Sequence, residues 1–245
     1  MTGRTVADRL SDAGGLAILV DPGRTDEKGA EELARRAAGE GVCALLLGNS
    51  FGGTDNPALI ARALRRGAPA LPLLQFPSTA SQLVSDVDAV LLLSLVSGRN
   101  PQYLIEEHVR AVPFFSLNPQ VAAISTAYCL IDGGHVTSVE AVSQTRPLPA
   151  DKPELVAAHV FAAKMIGMRA AYLDAGSGAG RPVAPSLVAA ARSATDGLLF
   201  VGGGIKHPDQ VRSARDAGAD IVVVGTLFER EGTNDVRALA LAARA

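Results

Sequence analysis

The 245-residue chain is poor in cysteine, with only Cys43 and Cys129, each inside an apolar run. Two such cysteines read as buried thiols of a reducing compartment rather than as a disulfide framework. No run of about 18 apolar residues occurs, so no membrane span is expected. The N-terminal stretch carries Arg4, Asp8 and Arg9 with no apolar segment between them. A secretory signal is therefore not expected, and the expected location is the cytoplasm. Charge of one sign is also missing. Lys and Arg number 23 against 25 Asp and Glu, for a net charge of -2. That balance excludes the basic footprint of a nucleic-acid or anionic-membrane binder. The four histidines, His108, His135, His159 and His207, show no metal-ligand spacing. There is no G-x-S-x-G elbow, Walker motif or C-x-x-C pair. No low-complexity linker divides the chain, so residues 1–245 are expected to form one domain.

What the chain does have is a repeating alternation. Eight apolar runs recur: LAILV (16–20), CALLL (43–47), LPLLQF (71–76), DAVLLLSLV (88–96), TAYCLI (126–131), AAYL (170–173), GLLFV (197–201) and DIVVV (220–224). Amphipathic stretches separate most of them. Residues 26–39 set Leu33 and several alanines against Glu27, Lys28, Glu31, Glu32, Arg35 and Arg36. Continuous apolar strands alternating with helices indicate a parallel sheet covered on both faces. Eight such units in this length predict closure into a (β/α)8 barrel. The rhythm breaks in places. Residues 77–87 (PSTASQLVSDV) make a poor helix. Residues 112–125 read as a long connection, and residues 132–150 are long and rich in Gly and Pro. Long loops without regular structure are often functional. Phe114, Phe115 and the run Tyr103, Leu104, Ile105 are candidates to line an apolar groove, beside the plainer reading of helix–barrel packing.

Three apolar runs end in glycines: YLDAGSGAG (172–180), VGGGIK (201–206) and VVGT (223–226). Glycine lets backbone N–H groups come close to a ligand, and N–H groups opening a helix favour an anion. Three such turns in the last third of the chain predict a phosphate cradle at the C-terminal mouth of the barrel. Asp21 ends the first strand in LVDPGR, where a carboxylate points into that mouth and suits Mg²⁺. A helix-capping Asp is the plainer reading. Ser50, in GNSFGG, follows the second strand on the same rim and could be a second hard-oxygen ligand, or part of an ordinary turn. Asp174 follows the sixth strand, where a carboxylate could accept the proton of a bound hydroxyl, or cap a helix. Lys206 could face a phosphate or sit solvated at a helix start.

In this order the motifs resemble the geranylgeranylglyceryl phosphate synthase family, which includes bacterial heptaprenylglyceryl phosphate synthases. The likeness runs on through FPSTAS (76–81), LLLSLVSGRNPQYLI (91–105) and TAYCLIDGG (126–134), and so covers nearly the whole chain. The resemblance implies an α/β fold, a modified (β/α)8 TIM barrel with helix 3 replaced by irregular chain. It implies a prenyltransferase that joins a polyprenyl diphosphate to the primary hydroxyl of sn-glycerol 1-phosphate, with Mg²⁺ on the departing diphosphate. By similarity Asp21 and Ser50 would hold the metal, and Asp174 would be the catalytic base. Tyr172, Leu173, Asp174, Ala175, Gly176, Ser177 and Gly178 would hold the acceptor, with Gly203, Gly204, Gly225 and Thr226 completing the cradle. Family members are commonly homo-oligomers.

The chain departs from the family pattern at several points. Asp174 stands where the family has Glu in YLEAGSGA, and DPDK becomes DPGR with Arg24 in place of Lys. GGS becomes GNS, EPG becomes IDGG, and Leu19 stands where some members carry Lys. These changes border both substrates. A relative in moenomycin biosynthesis prenylates 3-phosphoglycerate instead, and Arg24 and Asn49 would be compatible with such an acceptor. Two other classes stay open from the residues alone. A phosphosugar isomerase or aldolase would need a Lys or a Glu/His pair, yet no lysine lies in a late strand. A phosphate-binding scaffold would need neither Asp21 nor Asp174.

Overall fold

The structure is a computed structural model that describes residues 5–48, 56–225 and 236–244. Eight parallel strands close into a barrel in sequence order. They are β1 (Gly15–Val20), β2 (Ala44–Leu47), β3 (Leu73–Gln75), β4 (Ala89–Leu95), β5 (Ala122–Leu130), β6 (Ala170–Asp174), β7 (Leu198–Gly202) and β8 (Ile221–Val224). β8 returns to pair with β1 through Gly15↔Ile221, which leaves no sheet edge. The expected (β/α)8 architecture is the one observed.

The helices in chain order are α1 (Val6–Ala13), α2 (Glu27–Glu40), α3 (Pro57–Gly67), α4 (Glu107–Leu117), α5 (Ser138–Ser143), α6 (Pro153–Met165), α7 (Pro185–Ala194), α8 (Pro208–Asp216) and α9 (Val236–Ala242). Local chemistry sets their starts. Asp26 accepts the Gly29 N–H at 2.7 Å to open α2, and Pro57, Pro153, Pro185 and Pro208 each stand at the first turn of a helix. Between β3 and β4 there is no α-helix, only a 3₁₀ turn at Ala80–Gln82, as the poor helical character of 77–87 predicted. Residues 112–125 differ from the expected long connection. The first half is the end of α4, with Pro113 inside it, and the second half opens β5. The apolar spacing of VPFFSL fits a helix, and Pro113 obscured it.

Two apolar layers hold the barrel. The outer one lies between strands and helices and includes Ile18, Leu45, Leu173 and Val201. The inner one fills the barrel and includes Leu10, Leu46, Leu74, Leu91, Tyr128, Tyr172 and Phe200. Alternate residues of each strand divide between the layers, as a period of two requires. Leu10 brings α1 into the inner layer. Phe76, Tyr128, Tyr172 and Phe200 form an aromatic tier inside the barrel, with ring centroids 4.9 to 5.8 Å apart. Both cysteines are free, and burial pushes each thiol up to about 12. They are inert structural thiols. Among the described residues no helix is long and apolar enough to cross a membrane.

Candidate active site

Asp174 is the last residue of β6 and is only partly exposed at the mouth of the barrel. One carboxylate oxygen, Oδ1, accepts the Gly176 N–H at 2.7 Å. The other, Oδ2, accepts the Tyr128 hydroxyl at 2.6 Å. Burial raises the Asp174 carboxyl above its ordinary value, while these two donors pull it back down. The result is a carboxylate held in place and more basic than a solvated one. Burial and the Asp174 charge together hold the Tyr128 and Tyr172 hydroxyls protonated.

Two of the three glycine turns, those after β6 and β7, meet at the mouth; the third, after β8, continues outside the described residues. Asp174 is in register with Gly202, and the Ala175 N–H donates to the Gly202 carbonyl at 3.1 Å. The turn after β6 and the turn after β7 therefore lie against each other. A Cβ on Gly203, whose φ is +85°, would sit 2.6 Å from the Gly176 nitrogen and 2.7 Å from Asp174 Oδ1. This changes the role expected for that glycine. The first thing a side chain would strike is the Asp174 carboxylate and its loop, not a ligand. Gly203→Ala is accordingly expected to lower kcat as well as raise the acceptor KM, a split that steady-state kinetics would show. Gly178, at φ +74°, differs: a Cβ there meets nothing within 4 Å, so its side faces open space at the mouth.

Several other residues of the expected cradle take different parts. Leu173 is fully buried in the outer layer, because it lies one residue out of phase with Tyr172 and Asp174. Its side chain does not face the mouth, so only its backbone belongs to the site. Tyr172 points inward and is stacked on Phe200 in the aromatic tier. Ala175 is also buried on the outer side, and its N–H, like that of Gly176, is committed within the protein. Ser177, Gly178, Gly203 and Gly204 continue the two turns around Asp174. Gly225 follows β8, with Leu19 3.4 to 3.7 Å from where its Cβ would be. Ser50 and Thr226 lie outside the described residues.

Asp21 stands at the end of β1 on the same rim. Its Oδ1 accepts the Gly23 N–H at 2.9 Å and its Oδ2 pairs with Arg24 Nε at 3.3 Å. The Arg24 side chain is 46% exposed, and an ion pair this open is worth at most about 1 kcal/mol. It does not lock the carboxylate against a bound cation. Among the described residues no group of three or more His, Cys, Asp or Glu is arranged to hold a metal. Mg²⁺ with a phosphorylated substrate needs only one or two carboxylates, the rest being water and phosphate oxygens. Asp21 fits that requirement.

An apolar groove of about 320 Å³ opens beside this rim. Its walls are the irregular segment around Phe76, Pro77 and Leu83, then Leu93 and Leu95 of β4, Tyr103, Ala111 of α4, and Val139 and Val142 of α5. Polar ties hold the walls in place. Ser94 Oγ donates to the Leu104 carbonyl at 3.0 Å, and His108 Nε2 donates to the Leu93 carbonyl at 2.9 Å. Glu107 accepts the Ala80 N–H at 2.8 Å. The absence of an α-helix between β3 and β4 is what leaves this flank open, since chain 76–83 forms a thin wall instead of a covering helix. Tyr103 lines the groove as expected, whereas Phe114 and Phe115 pack on the outer layer and Ile105 is 55% exposed. Tyr128, which sequence reasoning did not single out, closes the groove at the Asp174 end. The signal for it was a polar-tipped aromatic in an otherwise apolar strand.

The site is thus a closed barrel with a carboxylate between two glycine turns and an apolar groove that reaches Tyr128, the hydrogen-bond partner of that carboxylate. The PcrB family model matches residues 16–243. Geranylgeranylglyceryl phosphate synthase of Zunongwangia profunda is 38% identical over 214 residues, 87% of this chain and 90% of that protein. The protein of the same name from Spirosoma linguale is 38% identical over 223 residues, 91% and 89% of the two chains. Among solved structures, (S)-3-O-geranylgeranylglyceryl phosphate synthase of Thermoplasma acidophilum, in complex with its substrate sn-glycerol-1-phosphate, superimposes with a TM-score of 0.90. That match covers 99% of each chain at 24% identity, and so speaks to the fold. The chain belongs to the PcrB family, that of the geranylgeranylglyceryl phosphate synthases, and is a prenyltransferase.

Proposed function

We propose that this protein transfers a polyprenyl group from its diphosphate to the primary hydroxyl of sn-glycerol 1-phosphate. One observation carries the reading: Tyr128 lines the apolar groove and donates its hydroxyl to Asp174, the half-buried carboxylate that sits between the glycine turns. A prenyl tail in the groove would place its reactive carbon near the mouth. The acceptor phosphate would rest on the backbone of the turns after β6 and β7. Asp174 would take the proton of the acceptor hydroxyl as that oxygen bonds to the allylic carbon. The carbon–oxygen bond to diphosphate breaks in the same exchange, and diphosphate leaves with the bonding pair. Mg²⁺, held at Asp21, would supply electrostatic stabilisation of the departing diphosphate. Partial burial of Asp174 keeps its basicity above that of a solvated carboxylate.

The acceptor is tested by incubating labelled prenyl diphosphates with sn-glycerol 1-phosphate and, separately, with 3-phosphoglycerate, each with and without Mg²⁺. Product from the first acceptor alone supports the reading. Product from 3-phosphoglycerate alone would replace it with the moenomycin-type reaction, for which Arg24, on the rim beside Asp21, offers a partner to a carboxylate. Release of no diphosphate with either acceptor would leave only a phosphate-binding barrel.

The groove makes a further prediction. Ala111 is buried and lines it. Ala111→Phe should fill part of the groove and move the preferred donor to shorter chains, by about 0.8 kcal/mol for each CH₂ that can no longer be buried. Competition between donors of different length would read this directly.

A further inference from the structure

Tyr128 joins the apolar groove to the Asp174 carboxylate. Its ring lines the apolar groove, and its hydroxyl donates to Asp174 Oδ2 at 2.6 Å. The ring is packed edge-on against Phe76 at 5.8 Å and tilted against Tyr172 at 5.7 Å. The residue is 3% exposed, so its hydroxyl is aimed by packing and not by solvent. With the Gly176 N–H on Oδ1, the carboxylate is fastened at both oxygens. Each oxygen still has accepting capacity for a substrate hydroxyl. Holding a reacting group in one orientation is a large part of what an active site contributes.

We propose that Tyr128 is a positioning residue for the reaction: its hydroxyl fixes the orientation of the Asp174 carboxylate while its ring forms the end of the prenyl groove. The proposal rests on Asp174 being the base. Among the described residues, the titratable groups facing that carboxyl are the hydroxyls of Tyr128 and, from its own strand, Tyr172; both stay protonated, as does the Cys129 thiol beside Tyr128. From β7 only the backbone of the Gly202–Gly203 turn approaches. Tyr128 is thus the side-chain donor that offsets the desolvation of Asp174. Its loss raises the carboxyl further, so the base is protonated at a higher pH and activity is lost earlier on acidification.

The experiment compares wild type, Tyr128→Phe, Asp174→Ala and the double variant in the prenyl transfer assay across pH. Tyr128→Phe should keep the wild-type melting temperature and acceptor KM. Its kcat should fall about 10-fold or more, as for the loss of a hydrogen bond to a charged group. The acid limb of its kcat profile should move to higher pH. In the Asp174→Ala background the same change should cost nothing further. An unmoved acid limb, or an equal loss of kcat with and without Asp174, would overturn the positioning role while leaving Asp174 as the base. Full kcat in Asp174→Ala alone would overturn the base assignment itself, and the proposal with it.

Discussion

Asp174→Ala is expected to lower kcat by about 100-fold or more, the range for loss of a positioned general base. The structure sharpens the reason. The carboxylate is the meeting point of Tyr128 from β5, the Gly176 N–H from its own turn, and the Gly203 turn after β7. On the proposed mechanism, its removal would leave the acceptor hydroxyl without an oriented proton acceptor. The effect should appear in kcat, since the backbone turns proposed to hold the phosphate are still there. It also has a pH signature. Burial raises the Asp174 carboxyl, so wild-type activity should fall on acidification at a pH above the ordinary carboxylate value. Asp174→Ala should lack that acid limb. Rates measured from acid to neutral pH check both expectations. An alanine variant with full kcat would show that the proton leaves by another route.

The second large effect is expected at Asp21. Asp21→Asn should abolish Mg²⁺-dependent turnover and leave the fold intact. The substitution keeps an oxygen that can accept the Gly23 N–H, so the turn after β1 should survive. It removes the charge that would hold the cation. Metal stabilisation of a departing phosphate is worth several kcal/mol, and each 1.36 kcal/mol is tenfold, so a loss of about 100-fold or more is expected. Turnover against Mg²⁺ concentration is the measurement. Near-wild-type activity at limiting Mg²⁺ would remove Asp21 from the role. The Arg24 pair contributes little here, because both partners are partly exposed.

Much of the mouth was readable along the chain. Asp21 and Asp174 each stand where an apolar run ends, and such ends gather on one face of a parallel barrel. The missing helix between β3 and β4 was readable too, because PSTASQLVSDV lacks helical character. Leu173 was not readable as an outsider. A motif read as a string treats every letter as part of the site, whereas the strand turns alternate letters to opposite faces. Gly203 shows the same limit in another form. Glycine after an apolar run signals close approach, but the approaching group turned out to be the neighbouring turn of the same protein.

Alternation of apolar runs with amphipathic stretches determined the barrel class from the sequence alone, and the glycine-ended runs determined where two glycine turns come together at its mouth. Both are properties of neighbours along the chain, where periodicity acts over a few residues. Tertiary structure alone decided that Tyr128 meets Asp174, 46 positions away, and that the groove reaches Tyr128. Strand register and the rotation of each side chain about its strand set such a contact. Those follow from how the whole barrel closes and packs, a balance that no short stretch of sequence contains.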